Sequence, residues 1–102
     1  MAQMTIVYWR DIPAQVIVKQ GRQTARRELA ARFQEAIDAA AMRAKAIGTD
    51  AYLADWRRAE PVECGADLEA EADAWQAKLE AAYDPARVDA LVAGYGHERL
   101  GT

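Results

Sequence analysis

TIVYWRDIPAQVIVKQ, Thr5 to Gln20, decides how the rest of the chain is read. Two runs rich in β-branched and aromatic residues, Thr5–Trp9 and Gln15–Lys19, flank a turn at Asp11-Ile12-Pro13-Ala14. Such side chains suit a pleated, half-buried surface, so the stretch predicts a β-hairpin. Pro13 has no amide hydrogen to donate and pushes Ile12 toward an extended backbone. Side chains alternate along a strand, so Ile6 and Tyr8 share one face and Val7 and Trp9 the other. Neither strand is cleanly polar on one side, and both faces therefore need at least partial cover.

Beyond Gly21, the spacing predicts a long helix over Ala25–Ile47, with Thr24 as N-cap and Gly48 as its stop. Leu29, Phe33, Ile37, Ala40 and Ala44 form its apolar stripe. Thr49–Leu53 reads as a connector with a turn of helix. Trp56–Val62 reads as a third strand, confined by Pro61 to an edge or to the strand's end; the competing reading is helix through Arg58. Asp67 caps a helix to Tyr83, with Glu69 and Glu71 favourable in its first turn. Asp84-Pro85 restarts a short helix that Gly94 ends.

The order is β-β-α-β-α-α. It predicts an α+β domain over 1–94: a small, mainly antiparallel sheet covered on one face by two longer helices, with a short C-terminal helix. Residues 95–102, with two glycines, read as a mobile tail. One sheet face is left less covered, and it is the structural pointer to function.

A chain of 102 residues carries one modest core. Its net charge of −3 and pI near 5.1 disfavour a dedicated nucleic-acid binder. The single cysteine, Cys64, excludes an intramolecular disulfide and a multi-cysteine zinc site, and no metal or cofactor is expected. No signal-peptide pattern and no apolar run of membrane-spanning length is present, so a cytoplasmic location with no membrane partner is the expectation.

Candidate chemistry is thin. Cys64 precedes a helix start, but Glu60, Glu63, Asp67 and Glu69 surround it in sequence, and negative charge opposes a thiolate. His97, the lone histidine, sits in the glycine-rich tail and reads as a surface residue. Asp11, Glu60 and Glu63 support an acid–base site only if the fold brings them together, and Asp11 more readily bonds its own turn.

Lys19, Arg22, Arg26, Arg27 and Arg32 make a basic group that, with Tyr8, Trp9 and Trp56, is the raw material for stacking bases. Against it, Glu60 through Asp73 carries six acids and no base. Trp9, Trp56 and Trp75 read first as core. A Tyr8 or Trp9 on the open face would instead be a binding anchor.

Three stretches carry a family resemblance: IVYWRDIPAQVIVKQGR from Ile6, ARFQEAIDAAAMRA from Ala31 and DAYLADWRRAEP from Asp50. The chain, over roughly residues 4 to 83, resembles a small bacterial family named for virulence and the related domain of conserved virulence factor C proteins. The most specific matches are Tyr8–Gln15 and Tyr52-Leu53 with Trp56. The resemblance brings no activity, cofactor or catalytic residue with it. It implies only an association of stand-alone members with one-carbon and corrinoid methyl-transfer proteins. Within the shared motif, an Arg10–Asp11 pair beside an aromatic could orient a partner's carboxylate or amide, against a turn locked by its own side chains.

The reading is a non-catalytic protein-interaction or adaptor module. Its expected surface comprises Tyr8, Trp9, Arg10, Asp11, Pro13, Gln15, Trp56 and Arg57, and its partner is another protein or a second copy in a homodimer. The first alternative is an RNA- or nucleotide-binding module using Arg22, Arg26 and Arg27 at the basic N-terminal end of the first helix. The second is a small enzyme or enzyme subunit around Asp11, Glu60 and Cys64.

Overall fold

The protein was analysed as a computed structural model that describes residues 2–45 and 49–97. Strand β1 (Ala2–Trp9) turns through Arg10-Asp11 into β2 (Ile12–Gln20), and β2 turns through Gly21-Arg22 into β3 (Gln23–Glu28). Then follow α1 (Ala31–Arg43), α2 (Thr49–Ala54), β4 (Trp56–Arg58), β5 (Val62–Cys64), α3 (Leu68–Ala82) and α4 (Pro85–Ala93). The five strands form one sheet in the order β3-β2-β1, with β4 and β5 end to end along the far edge of β1. Every pairing is antiparallel. The α+β class and the hairpin stand as expected.

The first four residues of the predicted long helix, 25–28, belong to a strand. Residues 23–28 pair with β2, Ala25 opposite Val18 and Arg27 opposite Val16. Ala, Arg and Glu favour helix by only a few tenths of a kcal/mol each, and a buried pairing outweighs that. The local signal was Gly21 itself. Its φ of +59° supplies the left-handed backbone that a two-residue hairpin connection demands. The helix begins six residues later than predicted, and Thr24 does not cap it. The expected stop, Gly48, lies outside the described residues.

The third strand also divides. Trp56–Arg58 pairs with Val7–Trp9, Val62–Cys64 pairs with Ala2–Met4, and Pro61 falls in the break, where it interrupts no ladder bond. The first turn is tighter than predicted: β2 already runs through Ile12 and Pro13, and a bulge at Ala14 absorbs the extra residue.

The register puts Met4, Ile6, Val16, Val18 and Ala25 on one face, all buried. There α3 lies against β2 and β3, α1 against β2, and α4 against α1. Arg27 shares that face and pairs with Glu69 and with Asp73 (2.7 Å) on α3; these two hydrogen bonds, Glu69 first, hold its pKa above the ordinary value. Arg32 ties α1 to the end of α3, donating to the carbonyls of Glu80 (2.7 Å) and Tyr83 (3.3 Å). Asp67 and Asp84 cap α3 and α4 as predicted, accepting from the amides of Ala70 and Arg87.

The opposite face is the less covered one, with Gln3, Lys19, Arg26 and Arg58 exposed on it. Val7 and Ile17 are nevertheless buried there, paired across strands with Arg58 and Arg26. Long cationic side chains can shield apolar neighbours with their stems while the charge stays wet.

Candidate functional site

The tip of the first hairpin is the most elaborately tied part of the molecule. Arg10 has a φ of +54°, costly for a residue with a side chain, and its surroundings hold it there from every side. Its amide donates to the Asp55 carbonyl at 3.0 Å, and its carbonyl accepts from Arg57 Nε at 2.9 Å. Its guanidinium donates from Nε to Asp55 Oδ2 (3.1 Å) and from Nη1 to the Tyr95 carbonyl (2.6 Å). The Asp11 amide donates to the Gly96 carbonyl at 2.8 Å. Residues far apart in sequence thus clamp a two-residue turn.

Four of the predicted surface residues meet here. Arg57 lies with its guanidinium carbon 4.5 Å from the centre of the Tyr8 ring and donates from Nη2 to Asp11 Oδ1 at 3.2 Å. Arg10, next to Asp11 in the turn, gives its guanidinium instead to Asp55 and the Tyr95 carbonyl. Stacking and ion pairing fix the planar fork of Arg57 in advance, a preorganisation that lowers the entropy lost on binding. His97, exposed, brings Nδ1 to 3.9 Å from Asp11 Oδ2.

Trp9 is not an anchor. It is wholly enclosed, its indole donating to the Tyr52 carbonyl at 2.9 Å and its ring stacked on Tyr52. Pro13 is buried as well. Both residues shape the tip from inside, because β1 carries Trp9 past the bulge into the space closed by α2 and Gly96.

Gln15 and Trp56 come together elsewhere. They line a 490 Å³ cleft with Ala14, Glu28, Leu29, Ala31 and Gln34. Trp56 is half-buried and meets Tyr52 edge to face. The cleft combines an indole and small apolar side chains with two carboxamides and one carboxylate. No cation lines it.

The basic helix end proposed for nucleic acid is absent, because Arg22, Arg26 and Arg27 lie on a turn and a strand. Alternation sends Arg26 to the open face and Arg27 to its acids on α3, while Arg22 sits in the turn beyond. They do not form one patch.

The enzyme set does not converge either. Cys64 pairs opposite Ala2, at the end of β1 remote from Asp11, and eight residues of strand span roughly 25 Å. Desolvation, and secondarily Glu71, raise the Cys64 thiol pKa. Glu60 and Glu63 are exposed. Among the described residues, no group of three His, Cys, Asp or Glu side chains could hold a metal ion.

The residues that the sequence did not single out are Asp55, Tyr95, Gly96 and Gln34. Asp55 follows a short helix and precedes Trp56, with nothing local to mark it. Tyr95, Gly96 and His97 fall in the segment read as tail, and they are hydrogen-bonded back to the hairpin or to α4. Residues 98–102 lie outside the described residues.

Neither a curated protein nor a solved structure matches the chain. The virulence factor family matches residues 7–92, from the middle of β1 to the last turn of α4. That span takes in the Arg10-Asp11 turn, the Trp56 cleft, α1 to α3 and α4 as far as Val92, and the chain belongs to the virulence factor family.

Proposed function

We propose that this chain is a non-catalytic interaction module that receives a segment of another protein in the cleft lined by Trp56, with the rigid Tyr8–Arg57–Asp11 cluster as a second contact. The observation that carries this reading is the composition of the cleft. Trp56, Leu29 and Ala14 offer apolar contact, while Gln15 and Gln34 offer the donors and acceptors that a peptide backbone requires. Its 490 Å³ lies within the range of ligand-binding clefts. Tyr, Trp and Arg are the residues that dominate protein-binding hot spots.

Strand addition is the less favoured mode of docking. On the edge strand β3, the Arg26 carbonyl accepts from Arg27 Nη1 at 2.8 Å and the Glu28 carbonyl from Gln76 Nε2 at 2.7 Å. Side chains thus occupy acceptors that an added strand would use. The partner docks through side chains into the cleft.

Gln34 is exposed on α1, and Gln34→Trp would fill the cleft without touching the core. Wild type and this variant, both shown folded by circular dichroism, would be compared as baits and by light scattering during size exclusion. Methyl-transfer proteins of the kind suggested by the family resemblance are the first partners to test. A purified partner retained by wild type and lost by Gln34→Trp supports the cleft. Equal retention moves the interface elsewhere, and a wild-type dimer that the variant splits makes the partner a second copy.

A further inference from the structure

Three residues other than glycine have a left-handed backbone among the described residues: Arg10 (φ 54°), Lys45 (φ 60°) and Tyr95 (φ 62°). All three line the same open recess of 360 Å³, together with Arg43, Ala44 and His97. It shares no lining residue with the Trp56 cleft.

Lys45 and Tyr95 occupy equivalent positions in two helices. Each follows the C-cap, Ala44 of α1 and Gly94 of α4, at the place where a helix ends on a left-handed residue. The Lys45 amide donates to Met42 (3.1 Å) and the Tyr95 amide to Val92 (3.0 Å), and the Gly96 amide closes the α4 motif on Leu91 (2.7 Å). Glycine or asparagine is the usual choice there, because a side chain in this conformation is strained. Two helices accept that strain, and both side chains line one recess. Strain that gathers at one place points to use of the side chains it presents.

The chemistry of the lining narrows that use. Arg10, Arg43 and Lys45 place three cationic side chains there, and among the described residues no carboxylate lines the recess. Arg10 is committed to Asp55 and to the Tyr95 carbonyl. Arg43 and Lys45 make no hydrogen bond or ion pair among the described residues, although Arg43 lies 5.8 Å from the centre of the Tyr95 ring. The two helix ends contribute partial negative charge, and Asp11 stands 3.9 Å from His97. These oppose an anion, but they do not cancel two uncommitted cations. Tyr95 remains 43% exposed, so its ring is open to a planar group.

We infer that the recess binds a phosphate monoester of a small molecule, its phosphoryl group held by Arg43 and Lys45 and its organic part laid on Tyr95. A phosphoryl dianion matches two cations lining one recess, and an aromatic face beside them selects an ester with a ring over free phosphate.

The test titrates the full chain with phenyl phosphate, inorganic phosphate and benzoate, read by amide chemical shifts and calorimetry. Phenyl phosphate should saturate, shifting Lys45, Tyr95 and His97, and should bind severalfold more tightly than inorganic phosphate. Lys45→Gly and Tyr95→Asn should each weaken it tenfold or more, with melting temperature unchanged or raised because the strain is relieved. Lys45→Arg should retain binding. The proposal is overturned by the absence of saturable binding, by benzoate binding as well as phenyl phosphate, or by Lys45→Gly and Tyr95→Asn binding like wild type. A melting temperature lowered in both variants would equally overturn it, because the side chains would then serve stability. None of these outcomes touches the Trp56 cleft, whose blocking variant lies on another surface.

Discussion

The indole Nε1 of Trp9 donates to the carbonyl oxygen of Tyr52 at 2.9 Å while the two rings stack with centroids 5.9 Å apart and planes 26° from parallel. One residue ends the first strand, and the other belongs to a six-residue helix that follows 40 positions later. A helix of that length has no independent stability, so its attachment is tertiary. The contact anchors α2, and through Asp55 it fixes Arg10 and the whole hairpin tip.

Trp9→Phe keeps most of the ring but removes the donor, leaving the Tyr52 carbonyl unpaired. The expected loss is about 1–3 kcal/mol from the orphaned acceptor, with a further contribution from lost volume. Trp9→Ala should lose about 3–5 kcal/mol. Urea denaturation followed by circular dichroism measures both. Hydrogen exchange in the Phe variant should accelerate first in residues 49–54, and protection unchanged there would show that α2 is held by other contacts.

Gly96 closes the C-terminal segment onto the same tryptophan. A Cβ at this position would stand 2.9 Å from Trp9 Cζ3 and 3.1 Å from Arg10 Cδ, on a backbone of φ +90°. The contact is with a fully buried ring that cannot yield cheaply. Gly96→Ala should therefore destabilise the domain by about 2 kcal/mol or more, from strain and overpacking together. By contrast, Gly21→Asn should be nearly neutral. Gly21 has a φ of +59° but nothing within 4 Å of its Cβ position, and asparagine tolerates that backbone. Thermal melts of the two variants, run in parallel, separate crowding from backbone preference.

Cys64 should be a slow thiol. Its pKa is raised by burial and, secondarily, by the Glu71 carboxylate. A raised pKa means less thiolate at neutral pH, so alkylation by iodoacetamide should lag behind that of a free cysteine, with its pH midpoint above the ordinary value of about 8.5. Unfolding in urea should restore the ordinary midpoint. Glu71→Gln should lower the midpoint only in part, because desolvation is the larger cause. A folded-state midpoint at or below 8.5 would contradict the assignment.

Some of this was legible in the sequence because its causes are local. Asp67 and Asp84-Pro85 start helices by accepting from the amide three residues on, and Gly94 marks where the last one ends. The runs of β-branched and aromatic residues from Thr5 to Lys19 give a hairpin whose two faces both need cover, whatever packs on them. The absence of paired cysteines and of clustered histidines is read directly from composition.

What only the tertiary structure decided depends on partners distant in the chain. Gln23–Glu28 has helix-forming side chains, yet it is a strand because Ala25 finds Val18 and Arg27 finds Glu69 and Asp73. Propensity differences of tenths of a kcal/mol cannot compete with burial worth roughly 25 cal/mol per Å². The hairpin tip joins Arg10 to Asp55 and to Tyr95, 45 and 85 positions away. No local pattern encodes such contacts, because they form only after the sheet has placed β4 beside β1 and α4 has returned the chain to the turn.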